Sequence, residues 1–183
     1  MSLEKEKIVS NTKKYFETLT KIGVDTEKLT TFLGIELATA PAFATNNMPN
    51  VFEGGLIDFT LNVTKHLIEL NTLLPEIKRI NKDSLIKVGL LHSIGKAKLY
   101  TTNVPEWKAK KGVLYEYNNA LASMRIGQRS LYYSMSNGIV LTEEEAQAIV
   151  FSDINDDDMV KGFSSNLSKL LKLAIELTII EKQ

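Results

Sequence analysis

Imidazoles, thiolates and carboxylates carry most metal and acid–base chemistry, and this chain holds only two histidines, His66 and His92, and no cysteine. Any mechanism that needs several imidazoles is cramped from the start. Thiolate zinc sites, iron–sulfur clusters, disulfides and a cysteine nucleophile are excluded. A serine nucleophile fares no better, because the chain has no Gly-x-Ser-x-Gly elbow. Neither common glycine-rich phosphate cradle occurs after a strand-like segment. Lys96, Arg125, Gln128 and Arg129 read by themselves as ordinary polar surface residues on amphipathic helices.

Two acidic constellations invite chemistry and have plainer explanations. Asp153-Ile-Asn155-Asp156-Asp157-Asp158 starts like a calcium loop, but Asp158 stands where glycine is required and Ser164 where the bidentate glutamate belongs. A solvated acidic loop is the reading that fits. Glu144 and Glu145 fall in the first turn of an expected helix, where they complement the macrodipole.

The elements that must position these residues are mostly helical. Ile8, Tyr15, Phe16, Leu19 and Ile22 recur at helical spacing between Leu3 and Ile22, with Gly23 as a C-terminal cap. A short helix is expected from Thr26 to Ile35, then a packed loop rich in turn formers. A helix is expected from Leu56 to Leu70. Asn81 to Ser84 should cap another, whose run Leu85 to Ile94 is apolar on nearly all sides and should be the most buried. Between Pro105 and Asn119, Trp107, Val113, Leu114, Tyr115 and Tyr117 surround Lys110-Lys111-Gly112, a composition that predicts a β-hairpin over about 105–119. Helices should follow from Ala122 to Met135, after the capping box begun by Thr142, and from Asn166 to Ile180.

With 183 residues, 44% of them hydrophobic and 24% charged, one compact core is expected, with residues 1–50 forming a helical layer on a domain spanning 51–183. Lys plus Arg and Asp plus Glu both total 22, so no net field draws in nucleic acid or a membrane at long range. Charge is uneven locally. Residues 96–129 carry seven basic side chains against Glu106 and Glu116, and residues 141–158 carry seven acidic ones and no basic one, which suggests two opposed surface patches. The charged start and the lack of a long apolar run give the expectation of a cytoplasmic protein with no membrane segment.

Taken in order, Gly54-Gly-Leu-Ile-Asp-Phe-Thr-Leu-Asn-Val63, Val88-Gly-Leu-Leu-His-Ser-Ile-Gly-Lys96, the Trp107–Tyr117 hairpin, Arg125-Ile-Gly-Gln-Arg-Ser130 and Thr142-Glu-Glu-Glu-Ala-Gln-Ala-Ile149 resemble the HD-domain metal-dependent phosphohydrolase superfamily. The likeness covers roughly residues 50–180 and is strongest to compact bacterial and phage forms. It implies a mostly α, HD-domain-like bundle with a small β-hairpin and an N-terminal helical extension. In that family histidines and aspartates hold divalent ions that activate water and polarise a phosphate. Here the matching positions read Phe59, His92-Ser93, Ile126, Ser152 and Glu176, so one imidazole and one carboxylate survive. Lys96 matches the lysine that commonly follows the His-Asp pair.

The resemblance, with those losses, implies a pseudoenzyme: a non-catalytic HD-fold protein with no metal or other cofactor, acting as a binding or structural component of a phage or phage-derived assembly. It would work in the host cytoplasm or in the virion, through a protein partner or self-assembly. Trp107, Lys110, Lys111 and Tyr115 are the expected partner surface, and a flap over the old site is the alternative for that hairpin. The competing expectation is a phosphohydrolase, or a sensor of a phosphorylated ligand, built on a residual pocket of His92, Ser93, Lys96, Arg125, Gln128, Arg129 and Glu176, with Asp58 or Asp153 recruited for metal. His92 itself reads either as a hydrogen-bonded core residue or as a lone ligand. Nucleic-acid binding through Lys108, Lys110, Lys111 and Arg129 is the remaining, less favoured expectation.

Overall fold

The computed structural model describes residues 5–154 and 164–182. Among them the chain is mostly helical, with eight α-helices and one small antiparallel ribbon. The helices are α1 (Lys5–Lys21), α2 (Glu27–Thr39), α3 (Gly55–Thr72), α4 (Lys82–Leu91), α5 (Glu106–Ala109), α6 (Ile126–Ser136), α7 (Glu143–Phe151) and α8 (Asn166–Lys182). None of the described helices is long and apolar enough to cross a membrane. The Asn155–Asp158 part of the acidic run lies outside the described residues.

Helix α2 runs past its expected end because Leu29, Leu33 and Leu37, four residues apart, form one buried stripe that continues beyond Ile35. Helix α6 starts later than expected, at Ile126, where Asp153 accepts hydrogen bonds from the first two helical N–H groups. The capping box of α7 forms as read: Thr142 Oγ1 accepts from the Glu145 N–H and Glu145 Oε2 accepts from the Thr142 N–H. Glu145 does more than complement a dipole. It is fully buried and also accepts from Ser84 Oγ at 2.8 Å and Lys87 Nζ at 3.0 Å, tying α7 to α4.

The hairpin differs from its expected extent. Strands β1 (Tyr100–Thr101) and β2 (Glu116–Tyr117) pair Tyr100 with Tyr117 and Thr101 with Glu116. The segment between them holds α5, with Pro105 at its N-cap, rather than a tight turn. Gly112 is left-handed at φ +82° and ends that turn of helix instead of reversing two strands. Val113 then bridges to Thr45, in the segment after α2.

One apolar core joins every layer. Tyr15, Leu19, Leu29, Leu33 and Leu37 from α1 and α2 belong to the same cluster as Leu56, Phe59, Val63, Leu67, Leu90, Leu91, Ile149 and Leu171. Helices α3 and α4 share the centre, α3 lying between α4 and α8 with α1 and α2 across it. Polar ties hold the outer helices. Tyr15 Oη donates to the Leu90 carbonyl at 2.8 Å. On the other side His66 Nδ1 lies 2.8 Å from Thr178 Oγ1, and its Nε2 lies 3.2 Å from Glu181 Oε2. Burial alone would raise the Asp58 carboxyl, but hydrogen bonds from Lys182 and Asn50, with the charges of Lys182 and Lys7, hold it below the usual carboxylate range. It joins α1, α3 and α8 and is not turned toward His92 as a metal ligand.

Helices α3 and α4 pack tightly at Gly89, where a Cβ atom would stand 2.5 Å from Thr64 Oγ1 and 3.0 Å from Thr64 Cα. Gly89→Ala should therefore lose about 1–2 kcal/mol despite alanine's better helix propensity. At Gly34 the nearest atom to a new Cβ is 3.7 Å away, so Gly34→Ala should gain up to about 1 kcal/mol. Urea denaturation of both variants checks the pair; equal effects would contradict the close packing.

Candidate functional site

Helix α4 ends at Leu91, and His92 is its C-cap residue, so the turn Ile94–Lys96 carries the chain away from the imidazole. The ring is buried. Its Nδ1 lies 2.9 Å from the Gly89 carbonyl, while Nε2 is buried with no hydrogen-bond partner among the described residues. Burial lowers the His92 pKa to about 4; the hydrogen bond to Gly89 resists this, and the charge of Lys96 adds to it. At neutral pH His92 is therefore an uncharged imidazole.

Lys96 is the other half of this cluster. It is 6% exposed, and its Nζ donates to the Ala42 carbonyl at 2.7 Å. The ammonium sits 4.1 Å from the Phe43 ring centroid and 5.8 Å from that of Phe59. Burial lowers its pKa to about 8, against the opposing charge of Asp153, so it is still charged at neutral pH. Phe43 and Phe59 meet edge to face at 5.3 Å, and the Phe59 ring lies 6.3 Å from that of His92. Phe59 thus fills space beside His92, as the sequence suggested. Ile126, by contrast, is only half-buried, at the start of α6.

The seven residues expected to share a pocket separate into three groups. His92, Ser93 and Lys96 are buried together at the end of α4, and none of them lines the cavities described below. Arg125 and Arg129 line a cavity of about 530 Å³ between the start of α6 and the chain following β2, with Asp153 in its wall. Gln128 faces solvent, and its Oε1 accepts from the Arg125 N–H. Glu176 is exposed on α8, because that helix buries Leu167, Leu170, Leu171, Ala174 and Thr178 on its other face. Ser152 Oγ is turned back to the Ile149 carbonyl. Among the described residues, no group of three or more His, Asp or Glu side chains is placed to hold a metal ion.

The expected partner surface also divides. Trp107 is 59% exposed, with Lys108 and Lys111 at 5.4 and 5.3 Å from its ring and Lys110 paired to Glu106 at 2.8 Å. Tyr115 is half-buried against Tyr100 in a separate cavity of about 410 Å³ that includes Glu36, Glu53 and Lys98. The expected basic patch over 96–129 does not form as a continuous surface. Lys96 and Arg129 are buried, Lys108 pairs with Glu116, and Lys98 lies near Glu36 and on the Phe32 ring. Phe43 and Ala42, which complete the Lys96 seat, carry no chemical signal in sequence and were not among the expected site residues. Asp153 was expected only as a metal ligand or part of an acidic loop, and its role at the start of α6 depends on folding of the chain 26 residues away.

No family model, no curated protein and no solved structure matches this chain. The fold and this cluster define a helical protein with a buried, uncharged imidazole beside a buried ammonium.

The His92 environment makes a pH prediction. Below pH 6.5 the unfolded chain takes up a proton that the folded chain refuses until about pH 4. Stability should therefore fall across that window by up to about 3 kcal/mol. His92→Gln should flatten this part of the profile, leaving the carboxylate contributions common to both proteins. Urea midpoints between about pH 7 and about pH 4.5 measure the difference; parallel profiles would contradict it.

Proposed function

We propose that this chain is a non-catalytic, HD-like helical protein that acts as a binding or structural component rather than as a phosphohydrolase. The observation that carries the reading is the Lys96 ammonium seated on Phe43 and Phe59 beside His92. A metal centre needs several anionic or imidazole donors converging on open space. At this position there is one imidazole, a serine in place of the carboxylate, two phenyl rings and a fixed positive charge. The residues present do not fit the family's metal group, and no hydrolytic step is derived through it.

What this arrangement does well is stay rigid. Burial of His92, Lys96 and Phe59 fixes the end of α4 against α3 and the segment after α2. The exposed Trp107 turn, with Lys108 and Lys111 near the indole, projects from that support as the surface for a protein partner.

Incubating the full chain with Mn²⁺ or Mg²⁺, dialysing and measuring metal content should show substoichiometric retention. Bis(p-nitrophenyl) phosphate should not be turned over above a protein-free control. Stoichiometric metal together with turnover that His92→Ala abolishes would overturn the proposal.

A further inference from the structure

Arg129 lies in the first turns of α6, is 5% exposed and lines the cavity of about 530 Å³. Its Nη2 donates to the Ala122 carbonyl at 2.6 Å, and its Nε is buried with no hydrogen-bond partner among the described residues. No ion pair to it is found among the described residues; Asp153, in the same wall, is committed to the N–H groups of Ile126 and Gly127. A guanidinium is always charged, and burying one with a single backbone acceptor is unfavourable unless an anion completes it.

The rest of the cavity says what kind of anion would fit. Its volume lies within the roughly 300–1,000 Å³ of small-molecule sites. Leu99, Leu121, Met124 and Ile126 supply apolar wall, and the Tyr117 ring is 58% exposed at its edge. The N-terminus of α6 cannot hold a multiply charged group, because the Asp153 carboxylate already occupies its N–H groups and would repel a second negative charge. We infer that this cavity binds a small organic monoanion, a carboxylate on an apolar body, with the charged end on the Arg129 guanidinium and the body against Leu99, Leu121, Met124 and Ile126. A carboxylate would pair with the part of the guanidinium that lines the cavity and offset the buried charge.

This goes beyond the non-catalytic reading, since His92, Ser93 and Lys96 are not in the wall. Metal retention with turnover would defeat that reading and leave this one standing.

The test is titration of the full chain with 3-phenylpropionate, its neutral amide 3-phenylpropanamide and inorganic phosphate, followed by NMR of the backbone amides of residues 121–129 and of the Arg129 Nε–H. The carboxylate should shift these resonances saturably and bind at least about tenfold more tightly than the amide or phosphate, a difference of about 1.4 kcal/mol. Arg129→Gln should lose at least that factor. Ser123→Trp, which fills the cavity mouth from an exposed wall position and leaves Arg129 in place, should do the same, so the result does not depend on one variant folding. No saturable shift with the carboxylate, equal binding of the amide, or unchanged affinity in a folded variant of either kind would overturn the assignment.

Discussion

A single positive charge buried against two phenyl rings organises the middle of this protein. Lys96 is drawn from water at a desolvation cost of several kcal/mol, offset by the Ala42 carbonyl, the faces of Phe43 and Phe59 and the field of Asp153. Those partners come from the segment after α2, from α3 and from the end of α7. The charge is tolerated only when all of them are in place together. The same arrangement keeps His92 neutral, because burial and a neighbouring ammonium both act against its protonation.

Around this centre, directional polar contacts complement the apolar packing. Aliphatic stripes of the kind seen at Leu29, Leu33 and Leu37 accept more than one neighbour with little loss, whereas a buried donor or acceptor demands a particular partner. Tyr15 marks where α1 crosses the end of α4, Glu145 marks where α7 meets α4, and the His66–Thr178 pair marks where α8 lies on α3. Asp58 gathers Lys7 and Asn11 from α1, Asn50 from the preceding loop and Lys182 from α8. A carboxylate next to Phe59 thus serves as a hub between helices. The two arginines at the start of α6 belong to a different region, where a carboxylate has already capped the helix and a guanidinium remains without a full set of acceptors.

Helices were legible wherever local pattern and burial agree. The three-to-four spacing marked α1, α3 and α8, the caps at Asn81–Ser84 before an apolar run marked α4, and the Thr142–Glu145 box placed α7, because these signals arise within a few residues. The ribbon was less legible. Its strands are two residues each and pair across fourteen intervening residues that include a turn of helix, so aromatic composition located the region but not the partners. Glu176 was expected to point inward and does not, since the same helix offers Ala174 and Thr178 as a better-fitting buried face.

The sequence by itself determined the helical class and the shortage of metal donors, since these depend on residue identity and short-range periodicity. Only the tertiary structure decided that Phe59 meets His92, that Lys96 turns inward onto Phe43 while Gln128 and Glu176 turn out, and that Arg129 is buried with no acidic partner among the described residues. The reason is physical: the protonation state, pairing and exposure of a charged side chain are set by groups far away in the chain, and spacing along one helix carries no information about them.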